Sequence, residues 1–322
     1  MQKQEICFPQ MLEIGCGIDV HQSLIVASIR KSSAEVETRE FEAYTKSLTD
    51  LRDWCKNEGV THVAMESTGI YWKPVFNILE EDFEIILVNA RHVKNVPGHK
   101  TDKKDSSWLS KLLLSGLLKG SFIPPRPIRE LRDLVRYKKK IIGQIASEKN
   151  RIIKVLEDAN IKLSSVLSNV DGSVGTKIIN DIINNPKTSL ESLQQYYHGK
   201  IKAGKEEFCQ ALNGHITEHH KNMLRLHKSS IQDKENQIQN IDKLIDEATK
   251  SYIVEVDLLQ TIPGVGRESA ISIISEIGTD MSQFPDETHL SSWAGMSPGN
   301  NESGGKKKIV EQSMATHICK RP

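Results

Sequence analysis

Ile14-Gly15-Cys16-Gly17-Ile18-Asp19-Val20 decides how this chain folds: it is an apolar run interrupted by one carboxylate. Three more acids stand in comparable places. Glu66 closes Val63-Ala64-Met65-Glu66, just ahead of Ser67-Thr68-Gly69. Asp102 and Asp105 lie three apart in Lys100-Thr101-Asp102-Lys103-Lys104-Asp105, where a helical pattern begins. A carboxylate at the end of a buried strand costs free energy unless something positive offsets it. Any one of these acids reads on its own as a surface or helix-capping residue. The four in this order read as an oxygen cage for a divalent metal, with Mg²⁺ and a phosphate substrate as the expected occupants.

Working outward from the first run, residues 13–20, 23–30 and 34–42 read as three strands, with His21-Gln22-Ser23 as a polar turn. Leu48, Leu51 and Trp54 share one face of a helix over 46–58. A strand at 61–66, a helix from Trp72 to Asp82, a strand at Glu84–Val88 and a helix from Lys104 to Leu118 follow. The order β-β-β-α-β-α-β-α argues for a mixed α/β sheet. In a ribonuclease-H-like sheet the first and fourth strands are neighbours, so Asp19 and Glu66 would meet. Asp102 and Asp105 would share one face of a helix packed on the same edge. Ile123-Pro124-Pro125-Arg126-Pro127 is a stiff boundary after this domain.

Beyond the prolines, 128–165 reads as helical and basic, with ten Lys/Arg against three Asp/Glu between Arg126 and Lys154. Such an excess is either a solvated helix surface or a phosphate-binding face. Arg132, Arg136, Lys138, Lys139 and Lys140 are the candidates for nucleic-acid contact. Residues 168–200 read as short helices and loops. From 215 to 250 a long helix carries Leu224, Ile231, Ile238 and Ile245 every seven residues, with Ile241 beside them. His220, His227 and Lys234 weaken the alternate row, which leaves a helical hairpin with 128–165 and a dimeric coiled coil both open. His215 and His219, four apart on this expected helix, have metal-binding spacing but no third ligand, and read as an exposed polar face.

Ile262-Pro263-Gly264-Val265-Gly266 leads into a helix over Arg267 to Ile277. Two glycines between short helices suit a helix-hairpin-helix, whose N–H groups hold a DNA phosphate, through Gly264 and Gly266 here. A dinucleotide fingerprint is excluded because the third glycine and a preceding βαβ unit are missing. After Trp293-Ala294-Gly295 comes the glycine-rich loop 297–305, ending in Lys306-Lys307-Lys308. Ser303, followed by Gly304 and Gly305, can approach a phosphate, with Lys306 and Lys307 stabilising charge. A hydroxyl is a poor nucleophile until a base or metal activates it, and most such segments are plain linkers.

The chain has 322 residues, 38% hydrophobic and 26% charged, enough for two or three domains. No apolar stretch approaches the ~20 residues of a membrane helix. No signal-peptide pattern opens the chain, so no membrane and a cytoplasmic location are expected. Cys7, Cys16, Cys55, Cys209 and Cys319 form no C-x-x-C pair, which argues against a zinc site or a disulfide framework.

Gly17-Ile18-Asp19-Val20-His21, Met65-Glu66-Ser67-Thr68-Gly69-Ile70-Tyr71, Lys100 to Asp105, Ile262 to Gly266 and Trp293-Ala294-Gly295-Met296-Ser297-Pro298 together resemble the insertion-sequence transposases of the IS-110 class, the DEDD recombinases. The resemblance runs from about 14 to 308. It implies a RuvC-like domain at 13–122, a helical coiled-coil linker at 128–250, and at 255–308 a transposase domain with the helix-hairpin-helix and serine loop. It implies that Asp19, Glu66, Asp102 and Asp105 bind one or two Mg²⁺ ions. It implies that Ser303 in Asn301-Glu302-Ser303-Gly304-Gly305 attacks the DNA backbone and forms a phosphoserine link. Acids and serine would then come from different domains or protomers. The partners implied are element-end and target DNA, a structured noncoding guide RNA that chooses both by base pairing, and further copies of the chain through the coiled coil.

Members of that class continue past the serine loop, whereas this chain stops at Pro322 and 309–322 diverge in character. A truncated or frameshifted copy with weak activity is therefore expected, with Met11 an alternative start. The remaining alternatives are a non-catalytic nucleic-acid binder that inhibits the intact enzyme, and a RuvC-like junction nuclease that uses only the four acids.

Overall fold

The structure is a computed structural model and describes residues 11–32, 35–67, 69–89, 105–185, 190–296, 302–303 and 306–307. The chain divides into two compact units, Met1–Ile123 and Pro124–Pro322.

The first unit is built on a five-stranded sheet in the order β3-β2-β1-β4-β5. Its strands are β1 Ile14–Val20, β2 Leu24–Lys31, β3 Val36–Glu42, β4 His62–Glu66 and β5 Glu84–Val88. β1, β2 and β3 form an antiparallel meander; β4 runs parallel to β1, and β5 parallel to β4. The first and fourth strands are neighbours, as expected from the element order. Helices α1 (Thr45–Asn57) and α2 (Trp72–Leu79) cover one face. There Cys16, Ile18, Val20, Ile25, Ala27, Ile29, Val63 and Met65 pack against Leu51, Trp54, Val75 and Leu79. Each fully buried aliphatic side chain of this kind contributes roughly 1.5–3 kcal/mol.

Helix α3 (Asp105–Leu114) covers the opposite face, where Leu109 and Leu112 meet Ile86 and Val88. Period two sends Gly15, Gly17 and Asp19 to that face, since their neighbours point into the first core. A β-carbon on Gly17 would stand 2.1 Å from the Ser106 carbonyl oxygen and 2.4 Å from the Ser110 nitrogen. Glycine is therefore what lets α3 reach β1. The expected helix over 104–118 is shorter at its C-terminal end, and the one begun at Trp72 stops at Leu79.

The second unit is helical. Two long helices, α4 (Arg126–Asp158, 33 residues) and α9 (Glu218–Ala248, 31 residues), pair along their length. They run antiparallel, because Asp158, Glu148 and Lys138 contact His220, His227 and Asp242 in turn. The helical-hairpin alternative is the one observed within the chain. Leu224, Ile241 and Ile245 of the seam are buried; Ile231 and Ile238 are partly so. The polar row is satisfied rather than empty. His220 forms a capping box with Thr217, His227 bonds Glu148, and Lys234 donates to Ser230.

Among the described residues, four short helices bridge these two: α5 (Leu163–Val166), α6 (Ser173–Asn184), α7 (Leu190–Gln194) and α8 (Lys205–Ala211). Their core joins Ile178, Ile182 and Phe208 to Ile152, Leu156 and Leu224. At the other end, α10 (Ile253–Gln260) and α11 (Arg267–Ile277) place Val256, Ala270, Ile271 and Ile274 against Leu131, Ile141 and Ile241. α12 (Glu287–Trp293) and the two-residue strands β6 (Glu302–Ser303) and β7 (Lys306–Lys307) follow. The helix expected over 128–165 breaks at Asn160, whose φ of 55° ends it. His215 precedes α9 rather than lying on it, and its N–H donates to the Ala159 carbonyl, so the expected His215/His219 helical pair is absent. No described helix is long and apolar enough to cross a membrane.

Candidate active site

β1 and β4 bring two of the acids together. Their register pairs Ile18 with Met65, so Asp19 and Glu66 stand one step further along adjacent parallel strands. Ala64 and Glu66 alternate with the core residues Val63 and Met65, which puts Glu66 on the α3 face with Asp19. α3 runs antiparallel to β1. A β-carbon on Gly15 would meet Leu113 and Leu114, near the helix C-terminus, while Gly17 meets Ser106 and Ser110. The first residue of α3, Asp105, is thereby carried toward the Asp19 end of the strand, and its Oδ1 is buried. His21 Nε2 lies 3.1 Å from Asp19 Oδ2. Asp102 falls outside the described residues.

Carboxylate oxygens on two strand ends and one helix start suit a hard divalent cation such as Mg²⁺. Among the described residues, no group of three or more His, Cys, Asp or Glu side chains closes around one point as a metal cage. Asp19 and Glu66 are brought together, and Asp105 is directed to the same face.

Sequence reading missed what holds α3 in place. Ser28 Oγ shares hydrogen bonds with Ser106 Oγ at 2.7 Å and Thr38 Oγ1 at 2.8 Å. Arg30 donates to Ser107 Oγ at 3.1 Å and to Ser110 Oγ at 3.4 Å. The available signal was the cluster Ser106, Ser107 and Ser110 in an otherwise leucine-rich helix.

In the second unit, Ser303 lies on β6. It pairs directly with Lys306, and Glu302 pairs with Lys307, in an antiparallel ribbon rather than an open loop. α10 and α11 are joined by a turn in which the Val265 N–H donates to the Ile262 carbonyl at 3.0 Å and Gly264 has φ 88°. Among the described residues, nothing beyond the chain neighbours comes within 4 Å of a β-carbon built on Gly264 or Gly266, so the turn is open to an approaching backbone.

The basic candidates divide. Arg132 donates to the Ser275 and Glu276 carbonyls at 2.9 and 2.7 Å, holding the C-terminus of α11. Arg136 binds Glu276 in bidentate fashion at 2.8 and 2.7 Å. Lys138 reaches Asp242 and Glu268 at 2.8 and 2.7 Å. Burial works against the Lys138 charge, but those two carboxylates outweigh it and raise its pKa. Lys139 and Lys140 are exposed. Three of the five cations expected on a phosphate face thus also hold α11 and α9 onto α4.

Two family models match the chain. One, described as a transposase and named for the DEDD class of IS110, covers residues 16–161. The other, described as the transposase IS116/IS110/IS902 family, covers 256–316, so the family match runs past Lys308 and takes in 309–316 of the stretch expected to diverge. Together they span more than half of the chain, and the acid-bearing sheet falls within the first. No curated protein matches it. The fold and the matches define a DNA transposase. The chain belongs to the IS110 family of insertion-sequence transposases, a membership that implies DNA binding and, for the DEDD class, dependence on a divalent metal.

Proposed function

We propose that this transposase cuts and rejoins DNA through the Ser303 hydroxyl, with Asp19, Glu66, Asp102 and Asp105 as the metal-holding acids. The observation that carries the reading is the placement of Asp19 and Glu66 side by side on one sheet face, with Asp105 opening the helix over that face. Bound Mg²⁺ would supply Lewis-acid polarisation of a phosphodiester. Ser303 Oγ bonds to phosphorus, the bond to the 3′ oxygen breaks, and the hydroxyl proton passes in net to the released 3′-hydroxyl. The phosphoserine link keeps the ester's free energy, so the reverse step with a new 3′-hydroxyl reseals DNA without ATP. Gly264 and Gly266 in the open turn between α10 and α11 would take a DNA phosphate as a helix-hairpin-helix does. Lys139, Lys140, Lys306 and Lys307 would hold nucleic-acid backbone. A structured guide RNA would choose the sites by base pairing, and further copies of the chain would complete the assembly.

The test is covalent trapping on DNA carrying an element end, with guide RNA and Mg²⁺ present. A protein–DNA adduct that disappears in Ser303→Ala is expected. Cleavage that survives Ser303→Ala but is lost in Asp105→Ala would replace the serine mechanism with a metal nuclease. Binding without cleavage in every variant would leave a nucleic-acid binder.

A further inference from the structure

Helix α3 packs on β5 through leucines but meets β1 and β2 through glycine and hydroxyl, where apolar contact is the usual solution. Apolar contact is non-directional, so it sets the separation of two elements better than their axial position. Hydrogen bonds carry both distance and direction. β1 recedes at Gly15 and Gly17, and their cross-strand partners on β2, Arg30 and Ser28, supply the polar arms. Ser28 is fully buried and Ser106 is 3% exposed, so the bond between them operates away from water, while the Arg30 bonds are part-buried. Ser106 is the residue after Asp105, and its bond to Ser28 lies two residues along the sheet from Asp19. One contact therefore fixes where the first turn of α3 stands relative to the end of β1.

We propose that Ser28, Ser106 and Arg30 are positioning residues for the acidic site, locking the axial register of α3 so that Asp105 is presented toward Asp19 and Glu66. The inference rests on the reading of those acids as metal-holding. An axial slip of α3 would leave the apolar packing of Leu109 and Leu112 largely intact while moving the carboxylate. Misplacement of a reacting group by about 1 Å is enough to lose two orders of magnitude in rate.

The probe is Mn²⁺ in place of Mg²⁺, titrated into the full chain by calorimetry and by electron paramagnetic resonance, with melting temperature recorded alongside. Ser106→Ala is the informative variant, because Ser28 keeps Thr38 as a partner and no buried hydroxyl is orphaned. Its melting temperature should stay near that of the parent while Mn²⁺ affinity falls by up to about 10–100-fold, the range in which loss of ligand orientation is felt at metal sites. Arg30→Gln, which leaves the Ser110 hydroxyl its bond to the Ser107 carbonyl, should lower affinity in the same direction, and provides the readout if Ser106→Ala melts early. Mn²⁺ affinity unchanged in both variants, with Asp19→Asn and Asp105→Asn losing the ion, overturns the positioning proposal alone. If those two acid variants bind Mn²⁺ as the parent does, or the parent binds none, the reading of the acids falls and the proposal with it.

Discussion

Gly17 shows how much of the acidic face depends on the absence of one carbon. The atoms a new β-carbon would meet are the Ser106 carbonyl oxygen and the Ser110 nitrogen, both main chain, so only movement of the helix relieves the clash. Gly17→Ala should therefore destabilise the first unit by about 1–3 kcal/mol or more, as overpacking does. The check is the urea midpoint of the variant; an unchanged midpoint would mean that α3 does not lie this close to β1. Asp19 and Glu66 were legible in the sequence because a charge at the end of an apolar run is conspicuous. Ser28, Arg30 and Ser106 were not. A serine and an arginine on an alternating strand look like a solvent face, and the partner of Ser28 lies 78 residues away.

At the scale of elements, the pairing of α4 with α9 is sealed by apolar residues and keyed by Glu148 and His227. Glu148 is 7% exposed. Burial alone would raise its pKa, but the hydrogen bond with His227 and the charges of Arg151, His227 and Lys234 outweigh burial and hold it below the ordinary 4.5. A carboxylate with a depressed folded-state pKa contributes stability above its unfolded value, and loses it as pH falls through the folded one. Glu148→Gln should thus lower the melting temperature at pH 7, and the gap to the parent should close as pH drops below about 4.5. A gap that persists in acid would assign the loss to packing instead. Both long helices were legible in the sequence, the second of them from the seven-residue spacing of Leu224, Ile231, Ile238 and Ile245. Their partners were not, because spacing alone does not distinguish a helix of the same chain from one of another copy. The polar row His220, His227 and Lys234 read as a weakness because its bonding partners lie elsewhere in the chain or in the local turn.

For the whole molecule, charge must be counted by what is left over rather than by what the sequence contains. Arg132, Arg136 and Lys138 are engaged with α9 and α11, while Lys139, Lys140 and Lys154 are exposed. Lys139→Glu with Lys140→Glu should flatten the log–log salt dependence of duplex binding by about 0.9 for each phosphate no longer neutralised, measured by fluorescence anisotropy. An unchanged slope would remove this part of α4 from the interface. Arg132→Glu should instead lower the melting temperature, since it strands the Ser275 and Glu276 carbonyls and sets like charges together. The two compact units meet in sequence at the proline stretch, and the mixed sheet was readable from element order. The engagement of the cations was not, because it depends on bonds between residues more than a hundred positions apart. The two faces of β1 are so unlike that a slip of one residue against β2 or β4 would drive the Asp19 carboxylate into the layer of Ile18, Val63 and Met65. The acid assigned to chemistry therefore also acts as a proofreader of assembly, making the nearest wrong pairing of the central strand the one the chain can least tolerate.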